Sequence, residues 1–369
     1  MMTRMKEHGK LSERQFAGII ANTMVGVGVL ILPKTATKFA GTAGWIALLL
    51  GGVIALFFLF LILKLGTRFP ENTLMEYAPR IIGKIPGTLV SLIFCTYWFL
   101  LSSLIFRVFA EMMVDAILLN TPIEVIIISM LILVAYLSRH DVEVFGRVNE
   151  LFFIFLIIPA VFGLAVSLKQ VTGIKLLPLL GNGLPSILIN TRELFFSFVG
   201  FEIIFLFIPS ITTLGKVYNY GFKGWLSPAA IYLAVVIIGI GVFGTRELQN
   251  LMWPTLELVK VINFPGLILE RVEAIFIAFW VIAVFTTVTN LFYSSVVGAT
   301  QVLKLSDHKT LVYPLLPLFY FFSTYPQNIY EVLNYMNVMG KFGGLVIITV
   351  TPLLYIISLI RNIKGGQKA

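Results

Sequence analysis

The sequence predicts an all-α integral membrane protein, and three observations carry that prediction. Of its 369 residues 58% are hydrophobic and only 12% charged, about half the charge of ordinary soluble domains and too little to cover a soluble surface. The apolar residues fall in unbroken runs long enough for helices, not in the two-residue alternation of a membrane β-barrel. The mean hydropathy is +0.96, which excludes a disordered chain. A single cysteine, Cys95, excludes a disulfide framework and a Cys-rich metal site.

A bilayer core about 30 Å thick needs roughly 20 apolar residues per helix. Reading the runs between polar breaks gives ten spans, at 14–35, 43–66, 86–114, 123–139, 148–168, 187–210, 228–246, 270–300, 311–325 and 340–361. The first run is flanked by Ser12 and Glu13 and lacks a small-residue cleavage pattern, so it reads as a retained helix and not a signal peptide. An even number of spans puts both termini on one side, and the basic residues choose which. Seventeen of the 27 Lys and Arg fall on the side of the termini and eight on the other, which predicts cytoplasmic termini. The net charge of +9 is therefore mainly an orientation signal, and no nucleic-acid partner is expected.

The chain reads as a single membrane domain, with a first five-helix repeat over 1–168, a second over 187–361 and a cytoplasmic tail at 362–369. The fifth and sixth spans are joined by an outer loop, 169–186, containing Pro178, Gly181, Gly183 and Pro185. Residues 247–269 are amphipathic and proline-punctuated. They read as short helices across the outer face, resting on the headgroups or covering a central vestibule.

The first span contains Asn22-Thr23-Met24-Val25-Gly26-Val27-Gly28-Val29-Leu30-Ile31-Leu32-Pro33, and the sixth contains Phe198-Val199-Gly200-Phe201-Glu202-Ile203-Ile204, closing at Pro209. Both place Val-Gly at mid-span with a proline beyond it. Gly26 and Gly200 are 174 positions apart, close to half the chain, as an inverted five-plus-five repeat requires. Either these glycines allow close helix packing, or the two helices unwind at the midplane and expose helix ends to a small polar ligand. The matched positions and prolines favour the second reading.

Several stretches carry a resemblance. Gly26-Val27-Gly28-Val29-Leu30-Ile31-Leu32-Pro33 is similar to the G-x-G-x-L-x-L-P stretch in permeases of the amino acid/polyamine/organocation superfamily. Arg68-Phe69-Pro70-Glu71-Asn72-Thr73-Leu74-Met75-Glu76-Tyr77-Ala78 with Ile82-Gly83-Lys84 resembles their cytoplasmic segment between the second and third helices. More narrowly, Leu11-Ser12-Glu13-Arg14-Gln15, Asn120-Thr121-Pro122, Arg147-Val148-Asn149-Glu150 and Phe198-Val199-Gly200-Phe201-Glu202 resemble the bacterial spore germination permeases, the B subunits of nutrient germinant receptors. The resemblance implies a leucine-transporter-type fold, a place in the spore inner membrane, recognition of an amino acid or other small nutrient, and partnership with an A subunit and a C lipoprotein.

Ionisable residues at bilayer depth are costly and face the bundle interior or a wet cavity. Glu202 lies in the sixth span beside the expected break, as a proton-sensitive or hydrogen-bonding group at the site or as a carboxyl bracing the loosened backbone. Arg107 and Glu111 in the third span are four apart and share a face, as a gate or as a static pair. Tyr97 and Leu101, one turn apart on nearly the same face, form a pocket wall or plain packing. Thr287 and Asn290 in the eighth span could face the site or, for Thr287, bond back to its own helix. Hydroxyls of that span would also suit a sodium ion, but the first span offers no carboxylate at its break and the fifth no lysine.

The expected ligand-binding set is thus Thr23, Gly26, Val27, Gly28, Tyr97, Leu101, Phe198, Gly200, Phe201, Glu202, Thr287 and Asn290, with Arg107 and Glu111 as a gating or ion pair. There is no P-loop, His-x-x-x-His, Cys-x-x-Cys or Gly-x-Ser-x-Gly, so neither an enzyme nor a cofactor or metal is expected. The resemblance and the breaks together predict a germinant-sensing subunit. The alternatives are a proton- or sodium-coupled amino-acid transporter and a ligand-opened ion or water conduit.

Overall fold

Ser12 starts the first helix chemically. Its hydroxyl accepts from the Gln15 amide at 3.2 Å, and the Gln15 side chain accepts from the Ser12 amide at 2.9 Å, a reciprocal cap that satisfies two otherwise orphaned donors. From there the backbone is helical almost throughout the computed structural model, which describes residues 10–260 and 272–365. The helices are α1 (Glu13–Met24), α2 (Gly28–Ala40), α3 (Gly44–Arg68), α4 (Leu74–Ile82), α5 (Lys84–Ala116), α6 (Ile123–Ser138), α7 (Val142–Ser167), α8 (Leu184–Phe195), α9 (Ile204–Phe207), α10 (Val217–Phe243), α11 (Thr245–Asn250), α12 (Pro254–Lys260), α13 (Val272–Val302), α14 (Lys309–Thr324) and α15 (Ile329–Ile360). Among the described residues six helical stretches are long and apolar enough to cross a bilayer. A seventh is added when Leu184–Phe198 and Phe201–Ser210, which meet at 46°, are taken as one span. The protein is an integral membrane protein.

The layering follows from polarity. Every residue of α1 from Gln15 to Met24 is buried, and α7, α10 and α13 pack around it. Outer helices instead turn apolar residues outward: Ile128, Ile132 and Leu133 on α6, and Leu151, Ile154, Ile158 and Val161 on α7, are exposed. In water that surface would be an aggregation hazard, whereas in a bilayer it is the solvent contact. Basic side chains at the ends lock helices to one another. Arg68 donates to the carbonyls of Ile363 and Ser358, both at 2.8 Å, and Arg361 donates to that of Ile81 at 2.6 Å, so the last turns of α3, α4 and α15 are held together at their carbonyl ends.

Several boundaries differ from the sequence expectation. α10 starts at Val217 and not near 228, with Pro228 inside it, and α15 starts at Ile329 and not near 340. Their early turns carry Asn219, Lys223, Glu331 and Asn334, polar residues that end an apolar run but not a helix that continues past the bilayer edge. α4 fills the segment between the second and third predicted spans, capped by Thr73 and Glu76. The 169–186 loop is not free, since its Thr172 amide bonds to the Gly241 carbonyl at 2.9 Å and its Asn182 side chain to that of Phe39 at 2.8 Å. Within 247–269, α11 and α12 clamp α2: Gln249 donates to the Lys34 carbonyl at 2.9 Å and Thr255 to that of Val29 at 2.6 Å. The rest of that stretch, 261–269, lies outside the described residues.

At the α13–α14 corner the His308 ring lies edge-on to Tyr293, centroids 5.4 Å apart, and Tyr293 stacks on Phe145 at 4.3 Å. Burial holds the imidazole below its ordinary value of 6.5, while the neighbouring Asp307 carboxylate opposes that shift. The folded state therefore takes up this proton less readily than the unfolded chain, so its stability is full above about pH 6.5 and declines as pH falls below it. Melting curves in detergent are expected to show that acid-side loss, and H308Q to flatten it.

Candidate functional site

The site begins where two helices stop. α1 ends at Met24 and α2 begins at Gly28, with Val25 at φ −84°, ψ 80°, so Val25 to Val27 are unwound. The carbonyls released there are taken by side chains. The Thr287 hydroxyl lies 2.6 Å from the Asn22 carbonyl and 3.1 Å from that of Val25, and the Tyr232 hydroxyl donates to that of Met24. α2 opens without a side-chain cap at Val27; the Leu30 amide is taken by the Val27 carbonyl at 3.1 Å, and the positive dipole end of the helix faces the interruption.

The second interruption is sharper. After a 3-10 turn at Phe196–Phe198, Val199 is extended and Gly200 sits at φ +129°, followed by a second 3-10 turn at Phe201–Ile203. An L side chain rarely adopts that φ. A Cβ on Gly200 would also lie 3.0 Å from the Thr23 carbonyl oxygen, so the second unwound segment lies close against the last turn of α1, and the positive φ favours glycine there. Glu202 fastens the turn: one carboxylate oxygen accepts from the Gly200 amide at 2.7 Å, and the other from the Trp98 indole at 3.2 Å.

A cavity of about 280 Å³ lies where the segments meet. Thr23, Gly26, Val27 and Gly28 line it from one side and Phe196, Ser197, Val199 and Gly200 from the other. Tyr97, Leu101 and Ile105 of α5, Tyr232 of α10, Thr287 and Leu291 of α13, and Met336 and Gly340 of α15 complete it. It reaches the surface past the exposed Lys38, Phe39 and Asn337. At that mouth Lys341 of α15 is 3.3 Å from the Glu193 carboxylate of α8. Lys38 and Glu193 are the charged side chains of the lining, and none lies at its floor.

The opposite end is closed. The Leu11 amide donates to the Ser210 carbonyl at 2.7 Å, and the Thr212 amide to that of Leu11 at 3.1 Å, forming a parallel β-bridge between Leu11 and Ile211. Between that bridge and the cavity the buried amides of three helices interlock. Asn149 Nδ2 donates to Asn290 Oδ1 at 2.9 Å, Asn290 Nδ2 donates to Asn149 Oδ1 and Thr23 Oγ1, both at 2.8 Å, and Asn22 Nδ2 donates to the Asn149 carbonyl at 2.7 Å.

Of the residues expected from sequence, Thr23, Gly26, Val27, Gly28, Tyr97, Leu101, Gly200 and Thr287 thus meet at one cavity. Phe198, Phe201, Glu202 and Asn290 do not line it. Phe198 is buried against Trp225 and Tyr232, and Phe201 is fully buried. Glu202 and Asn290 face backbone and amide partners because a buried polar atom must be paired where it sits. Arg107 pairs with Glu111 at 2.7 Å and also donates to the Ser323 carbonyl at 3.4 Å, away from the cavity, tying α5 to α14. Sequence reasoning missed Tyr232, the one polar residue in the run Ala229–Gly241, and Asn22 and Asn149, lone amides within or beside apolar runs. Trp98 and Ser197 carried no signal.

Removing the hub of the amide cluster should cost more than any one bond. N149L removes the donor that Asn290 Oδ1 accepts from and one acceptor of Asn290 Nδ2, while Asn22 keeps its bond to the backbone carbonyl of residue 149, and is expected to destabilise the protein by about 1–3 kcal/mol, read as a lower thermal midpoint in detergent. N149Q should retain part of that stability.

Comparison with known proteins agrees with this architecture. The family model described as spore germination protein matches residues 10–332. Spore germination protein A2 of Bacillus subtilis is 31% identical, over 96% of this chain and 97% of its own length. Two solved structures share the fold. Mhp1, a nucleobase-cation-symport-1 family transporter in a closed conformation with bromovinylhydantoin bound, aligns with a TM-score of 0.67 at 13% identity, covering 92% of this chain and 78% of the transporter. MhsT in complex with L-phenylalanine aligns at 0.64 and 12% identity, covering 96% of this chain and all of MhsT. The chain belongs to the spore germination protein family.

Proposed function

We propose that this protein is the germinant-sensing membrane subunit of a spore nutrient receptor, and that it binds a small nutrient, an amino acid by preference, in the cavity between the two unwound segments. The observation that carries this reading is a cavity floored by backbone and neutral side chains where two interrupted helices cross. A ligand carboxylate is met by the N–H groups opening α2, and its ammonium by carbonyls around Phe196–Val199 and the hydroxyls of Thr23 and Ser197, without a charged side chain. The volume suits a ligand smaller than a drug-sized molecule. Glu202 and Asn290 support the floor from behind, and Phe198 and Phe201 wedge the sixth span in place.

The proposal extends to topology and partners. The chain crosses the spore inner membrane ten times as two inverted five-helix repeats, 1–168 and 187–361. α1 with α2 and α8 with α9 are the broken first and sixth crossings, and both termini are cytoplasmic. The open mouth then faces outward, where nutrient arrives, and the bridged end faces the cytoplasm. Ligand binding favours one arrangement of the bundle by its differential affinity, and the change passes to an A subunit and a C lipoprotein.

An ion-coupled carrier is the second reading, favoured by the likeness to a cation symporter. The α1–α7–α13 junction supports the receptor instead, because neutral asparagine amides fill it. Uptake of labelled amino acid into proteoliposomes with and without an ion gradient separates the two; gradient-driven accumulation would favour the carrier.

In spores carrying this receptor alone, amino acids and sugars should be screened for germination. G26L, whose side chain would strike Thr287, since a Cβ at this position already lies 3.0 Å from the Thr287 methyl, is expected to raise the half-maximal nutrient concentration at least tenfold at unchanged receptor level. An unchanged concentration dependence would overturn the assignment.

A further inference from the structure

A groove far from the central cavity lies between the ends of α6 and α14. On α6, Ile132 and Tyr136 share one face at helical spacing with Arg139, which caps the end of that helix, and on α14 Lys309, Tyr313 and Leu316 likewise share a face. The space between them is about 550 Å³ and is bounded at the turn into α7 by His140, Asp141 and Val144.

The groove is polar at one end and apolar at the other. The Arg139 guanidinium lies over the Tyr313 ring, 4.7 Å from its centroid, and donates to that hydroxyl at 2.5 Å. Stacking of this kind orients a guanidinium while leaving further N–H donors available. Lys309 Nζ is 3.3 Å from Asp141 Oδ1, so one acidic group answers that lysine, while Arg139 makes no ion pair among the described residues. Along α6 the 1.5 Å rise per residue separates Ile132 from Arg139 by about 10 Å. There Ile132 is 62% exposed, with Ala135 and Leu316 beside it in the groove wall. One molecule with an anionic head and a hydrocarbon tail can occupy both ends. Inorganic phosphate would use only the basic end, and an acidic peptide would leave the apolar stripe without a partner.

We propose that this groove binds an anionic phospholipid. The phosphate sits against Arg139 and Lys309 near the Tyr313 hydroxyl, and the acyl chains run along Ile132, Ala135 and Leu316. Basic side chains at a membrane surface attract anionic headgroups, and planar guanidinium donors suit phosphate oxygens. The site is separate from the nutrient cavity and stands whether or not that cavity binds an amino acid.

The test uses the full chain in detergent, titrated with phosphatidylglycerol, with phosphatidylcholine of the same chain length, and with inorganic phosphate, and read by native mass spectrometry for bound adducts. Phosphatidylglycerol is expected to be retained over phosphatidylcholine. R139Q and K309Q should each weaken it about fivefold, and L316N should weaken the lipid without changing any binding of inorganic phosphate. All three positions are at least partly exposed, so the fold survives, and an unchanged thermal midpoint verifies that. Equal retention of the two lipids, phosphate binding as tight as lipid binding, or R139Q behaving like the parent protein would each overturn the proposal.

Discussion

The contact on which the rest of this structure depends is the crossing of Gly200 over the Thr23 carbonyl. Two helices that stop in the interior each leave unpaired backbone groups, a heavy cost where no water can reach them. The protein meets that cost by stopping both at the same place. The Thr287 and Tyr232 hydroxyls cover the carbonyls ending α1, and the Glu202 carboxylate, held by the Trp98 indole, covers the Gly200 amide. The crossing is tight, a Cβ on Gly200 lying 3.0 Å from the Thr23 carbonyl oxygen, and a cavity of about 280 Å³ lies beside it.

The two ends of the bundle are built differently. At the closed end, backbone bonds from Leu11 to Ser210 and Thr212 and the asparagine cluster bind α1 to its neighbours through neutral, buried, hydrogen-bonded groups. Such networks resist opening, because breaking any member strands the others. At the open end the Glu193–Lys341 pair bridges α8 and α15 at a partly exposed mouth, where an ion pair contributes little. α15 is accommodated there by Gly343 and Gly344, which pack under the Tyr97 and Phe196 rings. A ligand that tightened this end would work against weak contacts, while the other end stays shut.

The helical class was legible from apolar runs, because the bilayer demands them. Helix ends were less so: α10 and α15 run on through polar turns at Asn219 and Glu331 that hydropathy cannot distinguish from loop. At the site, Gly26 lies between α1 and α2 and Gly200 between two 3-10 turns, and Thr23, Gly26, Tyr97, Leu101 and Thr287 converge from three separate predicted spans. The sequence leaves Glu202 open between a group at the site and a carboxyl bracing the loosened backbone, and its bond to the Gly200 amide is of the bracing kind. Glu202 and Asn290 are polar and deep, yet they turn toward backbone and amide partners, and side-chain direction is not written in spacing alone. Tyr232 is a lone polar group in an apolar run and Asn149 sits among the polar residues Arg147 and Glu150, but partners of both lie more than 100 residues away in the chain and only the fold brings them together.

The most direct measurement of the central claim uses the fact that the one native thiol, Cys95, is buried. Ser197→Cys places a nearly isosteric thiol on the cavity wall, where a small water-soluble alkylating reagent can enter from the mouth. The account predicts that this thiol is labelled in membranes, and that the nutrient which triggers germination slows the labelling at concentrations in its effective range, whereas nutrients that do not trigger leave it unchanged. A thiol that labels at the same rate with and without a saturating effective nutrient would contradict it.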